Sequence, residues 1–245
     1  NSGAMTQMMV GRVLAEDGGL QRVNGNAGLF IGAKEEIHES RESVEKIRPD
    51  YAGVAAGAAL GGTIAGAAAE MIEKGESIII NGGTTTFALV EFLADGDLDI
   101  LTNSFPIAAK LIETSRNRIS LPGGTVFREQ NIILSPIEND AIANFRARKL
   151  FTGCCGINRY GMMEADPLIV QAETRLLQRA EQLIVMADSR KLRQNSAMIV
   201  VGLDRISALI TDDGARPEEL EVFRSAGIRV IVAPVPDQEN LTTRA

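Results

Sequence analysis

The chain has 245 residues, of which 45% are hydrophobic, enough for one large α/β domain or for one domain with a small companion. Its formal net charge of -7 argues against a broad nucleic-acid footprint on these residues, although a separate basic head is not excluded. The two cysteines, Cys154 and Cys155, are adjacent and cannot join distant parts of a fold, which favours a reducing, intracellular setting.

The first thirty residues show a short helical pattern followed by a glycine-rich stretch. Residues 1–5 resemble a tag remnant, 11–17 predict a helix, and 18–28 predict a strand, a turn and a second strand. A helix ending in Glu-Asp-Gly, followed by Leu-x-Arg-Val-x-Gly-x-Ala, resembles the last helix and wing of the DNA-binding head in DeoR-type bacterial transcriptional regulators. No recognition helix is visible, so we interpret 1–30 as tag residues and a remnant of a winged-helix head. Any glycine-rich hairpin remains the alternative.

Residues 31–58 are interpreted as a linker helix region, because charges of both signs alternate from Ala33 to Arg48. The only histidine, His38, lies there without an acidic or cysteine cluster, so we expect no metal site and no Ser-His or Cys-His catalytic pair. Tyr51 to Ala69 carries no charge, but its alanines and glycines favour close helix packing over a membrane span. No signal-peptide pattern is present, and we expect a cytoplasmic protein.

A strand, a glycine-rich turn and a helix open the next region. Ile78 to Ile80 are three β-branched apolar residues and predict a buried strand, which Asn81-Gly82-Gly83 interrupts. Thr84 to Thr86 then precede a helical stretch, Phe87 to Leu93. Such a turn exposes backbone N–H groups and hydroxyls that suit a phosphate. The alternative is an ordinary strand–helix turn with a threonine cap, since the spacing fits neither the Walker loop nor the dinucleotide fingerprint.

Strands and helices alternate through the rest of the chain. The pattern predicts strands and helices, in order, at 97–103, 105–114, 118–121, 138–146, 149–155, 168–180, 182–187, 197–201, 207–211, 217–226 and 228–232. This alternation predicts an α/β fold with a mostly parallel, Rossmann-like sheet and helices on both faces. We assign residues 59–245 to this single domain.

Polar and glycine clusters recur where the predicted strands end. In an open α/β sheet, the ligand crevice lies just beyond the carboxyl ends of the strands. Five clusters at such positions favour a small-ligand site: Asn81 to Thr84, Thr102 to Ser104, Gly123-Gly124, Gly153 to Gly156, and Asp188 to Lys191.

The order of these clusters resembles the C-terminal sensor domain of the DeoR family over roughly residues 62–232. That domain has a Gly-Thr-Thr turn, Thr-Asn-Ser, Gly-Gly, a Gly-x-x-Gly strand end, a helix with Glu and a cation, and Asp-Ser-x-Lys, in this order. The resemblance implies a ribose-5-phosphate-isomerase-like or CoA-transferase-like fold that binds a phosphorylated sugar, sugar acid or polyol as effector. The implied effector residues are Asn81, Gly82, Gly83, Thr84, Thr85, Thr86, Thr102, Asn103, Ser104, Gly123, Gly124, Gly156, Glu173, Arg175, Asp188 and Lys191.

An isomerase-like enzyme with Glu173 as base is the alternative function. Glu173 precedes Lys191 by eighteen residues, similar to the catalytic Glu and strand-end Lys of the isomerases. The isomerases also carry an acidic loop, whereas the corresponding stretch here, Thr152 to Asn158, has no carboxylate. We therefore predict a sensor that binds without turnover, with no catalytic residues and no cofactor. Other ligand-binding or acyl-transfer roles on this fold stay open.

Each assigned role has a structural alternative. Lys191 is either a phosphate or hydroxyl ligand or a solvated strand-end charge, and Glu173 with Arg175 either bind effector or are surface helix charges. Asn103 either contacts sugar hydroxyls or caps the next helix, and the cysteines are expected to be packing residues. The resemblance also implies operator DNA as a partner of the N-terminal head and a homodimer or homotetramer. Apolar strands such as Ala197 to Val201 offer an interface.

Overall fold

The computed structural model describes residues 13–14, 20–21 and 55–235, with side chains from residue 61 onward. The chain divides into two compact units, Asn1–Tyr51 and Ala52–Ala245. In the first unit, β1 (Val13–Leu14) pairs antiparallel with β2 (Leu20–Gln21). The helix predicted over 11–17 is therefore wrong at these two positions, because Val13 and Leu14 bond across a hairpin instead of along a helix. The rest of the predicted head, and the linker up to residue 54 with His38, lies outside the described residues.

The second unit alternates strands and helices, as the pattern predicts. Its elements are α1 (Ala55–Ala69), β3 (Ser77–Ile80), α2 (Thr84–Leu89), β4 (Asp99–Thr102), α3 (Phe105–Thr114), β5 (Arg118–Ser120), β6 (Thr125–Phe127), β7 (Ile132–Leu134), α4 (Ala141–Asn144), β8 (Ala147–Thr152), β9 (Gly156–Asn158), β10 (Gly161–Glu164), α5 (Pro167–Leu177), β11 (Ala180–Met186), β12 (Met198–Val201), β13 (Ala208–Asp212), α6 (Pro217–Ser225) and β14 (Arg229–Ala233). Short 3₁₀ turns span Val90–Phe92, Ser189–Arg193 and Leu203–Arg205.

Seven parallel strands form the central sheet, in the order β14-β13-β11-β8-β3-β4-β5. This confirms the predicted α/β fold with a mostly parallel sheet. The first strand of this sheet along the chain is β3, from which the chain runs outward through β4 to β5. It then returns to the other side of β3 and continues through β8, β11 and β13 to β14. The direction of winding therefore reverses between β3 and β8, where open α/β sheets form their ligand crevice.

Both faces of the sheet are covered, because successive side chains of a strand point to opposite faces. Ile78 and Ile80 pack in a cluster with residues of α1, α2 and α3, whereas Ile79 packs in a second cluster with residues of α4, α5 and α6. All three isoleucines are fully buried. The continuous apolar run in β3 is thus explained by helices on both sides. Within residues 55–235, no helix is long and apolar enough to cross a membrane.

Two small antiparallel sheets lie outside the main sheet. The hairpin β6–β7 was not predicted, and an isolated bridge between Ser104 and Ile132 joins it to the carboxyl end of β4. Strands β9, β10 and β12 form the second sheet, in the order β12-β10-β9. The strand predicted over 197–201 exists, but it pairs with β10 instead of extending the parallel series. Its half-exposed pattern, with Ile199 53% exposed, fits this outer position better than a central one.

The helix predicted over 138–146 is much shorter in the structure. It begins at Ala141, because the Asp140 carboxylate accepts a hydrogen bond from the Ala143 N–H at 3.1 Å and caps the first turn. It ends at Asn144, because Phe145 is already extended and leads into β8. The apolar and polar spacing alone does not place either end.

Candidate functional site

A cavity of about 180 Å³ lies beyond the carboxyl ends of β3, β8 and β11. The turns that follow these strands supply most of its wall, and α5 and the β6–β7 hairpin close it. This is the reversal point between β3 and β8, where a crevice is expected in an open α/β sheet. The lining residues are Asn81, Gly82, Gly83, Thr84, Thr85, Gln130, Ile132, Gly153, Cys154, Cys155, Glu164, Ile169, Glu173, Met186, Ala187, Asp188 and Lys191.

Half of the residues predicted for the site line this cavity, and half do not. Those that line it are Asn81, Gly82, Gly83, Thr84, Thr85, Glu173, Asp188 and Lys191. Those that lie outside its wall are Thr86, Thr102, Asn103, Ser104, Gly123, Gly124, Gly156 and Arg175. The second group consists of residues that support the wall or belong to other parts of the fold, as described below.

The turn after β3 presents small polar groups to the cavity. Gly83 adopts φ 155°, a conformation that side chains disfavour, and leaves the backbone open at the start of α2. Thr84 is exposed and Thr85 half-buried, and within residues 61–235 neither hydroxyl has a hydrogen-bond partner. Thr86 differs, because it is buried and its hydroxyl donates to the Gly83 carbonyl at 3.0 Å. Thr84 and Thr85 are therefore free to bind a ligand, and Thr86 shapes the turn.

The polar residues after β4 support this turn from behind. Asn103 is 1% exposed, and its Oδ1 accepts a hydrogen bond from the Gly82 N–H at 3.2 Å. The Thr102 hydroxyl accepts from the Ser104 N–H at 3.0 Å, and the Ser104 hydroxyl caps α3 by accepting from the Ile107 N–H. Asn103, which the sequence suggested as a possible cap of α3, is not the cap; Ser104 is. All three side chains hold the crevice in shape without facing it.

The predicted glycines after β5 and β8 are required by chain packing. Gly124 has φ 151°, and a side-chain Cβ there would overlap the Leu134 carbonyl across the β6–β7 hairpin. A Cβ at Gly156 would overlap the Gln194 carbonyl. Gly123 lies beside the Ile137 side chain. These glycines permit close approach of two chain segments.

Glu173 reaches the cavity from α5 and is held by the turn after β3. Its Oε1 accepts a hydrogen bond of 2.6 Å from Asn81 Nδ2, and the same amide donates to the Thr152 hydroxyl at 2.9 Å. Its Oε2 is buried and has no hydrogen-bond partner among residues 61–235. Burial, together with the negative charge of Glu164, raises the pKa of Glu173 to about 8, although the hydrogen bond from Asn81 opposes the rise. A carboxyl group with one free oxygen therefore faces the cavity.

Arg175 lies on another side of α5 and contacts the segment before α4 instead of the cavity. Its guanidinium donates to the carbonyls of Ser135 and Ile137 at 2.7 and 2.8 Å and to the Asp140 carboxylate at 3.1 Å. Two residues along a helix are about 200° apart around its axis. Glu173 and Arg175 consequently cannot act on one ligand, and Arg175 anchors the segment before α4.

The end of β11 supplies the cation of the site. Asp188 accepts hydrogen bonds from the Arg190 guanidinium at 3.0 and 3.1 Å and from the Arg190 N–H. Lys191 lines the same cavity, is half-buried, and forms no ion pair with a residue in the range 61–235. Arg190 binds Asp188 directly, and the charge of Lys191 also stabilises the Asp188 carboxylate without an ion pair between them, so the ammonium group of Lys191 can still bind an anion.

Glu164 is a cavity residue that sequence reasoning missed. The antiparallel pairing of β9 and β10 brings it beside the turn after β8, a stretch that has no carboxylate of its own. It is 5% exposed, and it accepts hydrogen bonds of 3.0 Å from both the backbone N–H and the thiol of Cys155. A charged residue that ends the apolar run Met162-Met163 was the available signal.

The two cysteines also line the cavity as neutral thiols. Burial, followed by the hydrogen bond to Glu164, raises the pKa of Cys155 to about 11. Burial likewise raises the pKa of Cys154, and the charge of Glu164 adds to this effect. Neither thiol is activated for nucleophilic chemistry. Among the described residues, no group of three or more His, Cys, Asp or Glu side chains is arranged to hold a metal ion.

Comparison with known proteins identifies a family over most of this unit. Residues 62–213 match the model of the "DeoR C terminal sensor domain". The HTH-type transcriptional regulator UlaR of Shigella dysenteriae serotype 1 is 28% identical over 223 residues, which cover 89% of this chain and 82% of the regulator. The UlaR protein of Escherichia coli O1:K1 gives the same identity and coverage.

Two solved structures match part of the chain at low sequence identity. Ribose 5-phosphate isomerase A from Methanocaldococcus jannaschii is 13% identical with a TM-score of 0.39, over 54% of this chain and 52% of the isomerase chain. The translation factor eIF2B beta from Chaetomium thermophilum is 12% identical with a TM-score of 0.40, over 68% of this chain and 53% of the factor.

Proposed function

The chain belongs to the family of DeoR C-terminal sensor domains, and from this premise we propose that it is a transcriptional regulator whose cavity binds a small phosphorylated effector. Its curated relatives are transcriptional regulators and not enzymes, which agrees with the prediction of a sensor. The observation that carries the proposal is the set of unpaired donors in the cavity wall. These are the hydroxyls of Thr84 and Thr85 and the ammonium group of Lys191.

A phosphate suits these donors for chemical reasons. Hydrogen bonds between hydroxyls and a charged oxygen are stronger than neutral ones, and a lysine ammonium offers three donors on a flexible stem. Gly83 has no side chain to keep an anion away from the backbone of the turn. We therefore propose that Thr84, Thr85 and Lys191 hold the phosphate of a sugar phosphate or polyol phosphate. A sugar acid would place its carboxylate in the same position.

Thr85→Ala is expected to weaken effector binding by about 10- to 150-fold, because one hydrogen bond to a charged group is worth roughly 1.5–3 kcal/mol and 1.4 kcal/mol is tenfold in affinity. Thermal denaturation with a panel of phosphorylated sugars, polyols and sugar acids identifies the effector class. A ligand present at about 100 times its dissociation constant stabilises the protein by roughly 2.7 kcal/mol. Titration calorimetry of the best compound then compares wild type with Thr85→Ala.

Thr114→Ala is the matched control, because Thr114 is an exposed threonine at the end of α3 that does not line the cavity. It should bind the effector as wild type does. Equal affinity of Thr85→Ala and Thr114→Ala would remove Thr85 from the site. Conversion of a bound sugar phosphate to its isomer during the assay would instead favour the isomerase-like alternative with Glu173 as base.

The same proposal assigns a role to each segment of the chain. We propose that residues 59–245 sense the effector, that 31–58 link the two parts, and that 1–30 carry a remnant of the head that contacts operator DNA. The resemblance of residues 18–28 to a wing supports the DNA-binding role, as do the HTH-type regulators to which the chain is similar. A ligand in the cavity changes DNA binding only if it prefers one arrangement of domains or subunits.

We also propose that the protein is a homodimer or homotetramer that uses the sheet β12-β10-β9. Ile199 on β12 is 53% exposed, Tyr160 in the β9–β10 turn is 56% exposed, and β12 is one of the two edge strands of this sheet. Light scattering after size exclusion should give a multiple of 26.2 kDa, and Ile199→Glu should shift the population toward 26.2 kDa. Val222→Glu, on exposed α6, is the control that should leave the mass unchanged. A wild-type protein of 26.2 kDa alone would contradict the proposal.

A further inference from the structure

Two buried carboxyl groups line the cavity, and no cation among residues 61–235 pairs with either. Glu164 and Glu173 each have 5% exposure, and both line the cavity. Among residues 61–235, neither lies within ion-pair distance of a basic side chain. We call this pair the acidic floor. Buried carboxylates are normally paired or bound to a metal, so the acidic floor is an unusual arrangement.

The hydrogen bonds of the acidic floor leave one acceptor open. Both oxygens of Glu164 are occupied by the N–H and the thiol of Cys155. Glu173 uses Oε1 to accept from Asn81, whereas Oε2 is buried without a partner. A buried polar atom without a partner costs free energy that a ligand donor can recover. The open position is thus a free carboxyl oxygen of Glu173 that lies near a second carboxyl group, Glu164.

The more exposed part of the cavity wall, which we call the outer wall, offers hydrogen-bond donors instead of carboxyl groups. Thr84, Thr85 and Lys191 are exposed or half-buried, and they offer hydroxyl and ammonium donors. Burial and the charge of Glu164 raise the pKa of Glu173 and the hydrogen bond from Asn81 opposes the rise, so no cation among residues 61–235 contributes to the shift of this carboxyl group. A ligand that spans the cavity therefore meets donors at the outside and carboxyl groups at the inside.

We propose that the effector carries an amino group, bound on the acidic floor, in addition to its phosphate. An ammonium group donates up to three hydrogen bonds, and its positive charge favours the ionised form of Glu173 beside Glu164. A hydroxyl supplies one donor and no positive charge. The effector class is then an amino-sugar phosphate or an amino-polyol phosphate. This inference rests on the proposed phosphate-binding function of the outer wall.

Matched pairs of phosphate esters test the inference. The pairs are glucosamine 6-phosphate with glucose 6-phosphate, galactosamine 6-phosphate with galactose 6-phosphate, and phosphoethanolamine with ethyl phosphate. Titration calorimetry of the full chain at pH 7 is expected to show at least tenfold tighter binding of the amino member in one or more pairs. In Glu173→Gln, which keeps the acceptor for Asn81 but cannot ionise when an ammonium group binds, this ratio should fall to about one.

Glu113→Gln is the matched control, because Glu113 is exposed on α3 and should retain the preference for the amine. Two results would overturn the inference while leaving the phosphate site intact. These are equal binding within every pair that binds, and a preference for the amine that survives in Glu173→Gln. Failure of all phosphate esters and of inorganic phosphate to bind would refute the proposed function itself, and the amine inference with it.

Discussion

Glu173→Gln is expected to stabilise the folded protein by about 2–4 kcal/mol at pH 8 and to have little effect near pH 4. Burial and the charge of Glu164 raise the pKa of Glu173 from 4.5 to about 8, and each pH unit between these values corresponds to roughly 1.4 kcal/mol. Folded protein keeps the proton, whereas unfolded protein releases it above pH 4.5. Stability from this group is therefore complete below pH 4.5 and is lost as the pH rises through about 8.

Glutamine does not titrate, so the advantage of the variant should grow across this pH window. Urea denaturation followed by circular dichroism at pH 5 to 9 measures it, because the chain has no tryptophan to report by fluorescence. Glu113→Gln should differ from wild type by the same small amount at every pH. A stability difference for Glu173→Gln that does not change with pH would show that the carboxyl group is already ionised at low pH. The expected gain in stability at the cost of ligand selectivity is typical of functional sites.

Lys149→Met is expected to destabilise the domain by about 3–5 kcal/mol, because it leaves a buried carboxylate without its partner. Lys149 in β8 lies 2.6 Å from Glu76, which directly precedes β3, and the two residues are 5% and 7% exposed. The pair lies at the amino ends of the strands, far from the turns that form the cavity. Arg148 is 3.8 Å from the same carboxylate, but its side chain is half exposed and replaces little of the lost interaction.

The double variant Lys149→Met/Glu76→Gln tests the mechanism. It removes both charges. In the wild type, Glu76 accepts a hydrogen bond of 2.9 Å from the Glu73 N–H, and glutamine at this position can still accept it. We expect it to recover at least half of the loss in urea denaturation. Lys74→Met is the control, because its pair with Asp97 is 75% exposed on both sides and such pairs contribute about 0–1 kcal/mol. A double variant no more stable than Lys149→Met would indicate that lost packing, not the unpaired charge, causes the effect.

The main sheet could be predicted from sequence because its strands are short runs of large apolar residues separated by helices. Ile78 to Ile80 is the clearest case, since three buried residues in succession require cover on both faces. The hairpins could not be predicted in the same way. Strands of three or four residues such as β6, β7 and β9 carry too few residues for a period of two to emerge, and their partners are chosen by tertiary packing.

The site residues at the strand ends could be predicted from the sequence. Residues whose role depends on which way a side chain faces could not. Thr84, Thr85 and Lys191 follow buried strands, so their position at the crevice follows from the parallel sheet alone. Whether Arg175 faces the cavity depends on the rotation of α5 about its axis, which the sequence does not give. The cap of α3 is Ser104, one residue later than the predicted Asn103. Glu164 required knowledge of the β9–β10 hairpin, which brings it beside a turn nine residues earlier.

The hydrogen bonds that Asn81 makes have a consequence for when the cavity is completed during synthesis. Asn81 donates to Thr152 and to Glu173, which follow it by 71 and 92 residues. The threonine turn is synthesised early, but the cavity is complete only after Lys191 has left the ribosome. Any opening that separates β3 from β8 also breaks the cavity. An effector bound as proposed would therefore oppose separation of the two halves of the sheet and stabilise the whole domain.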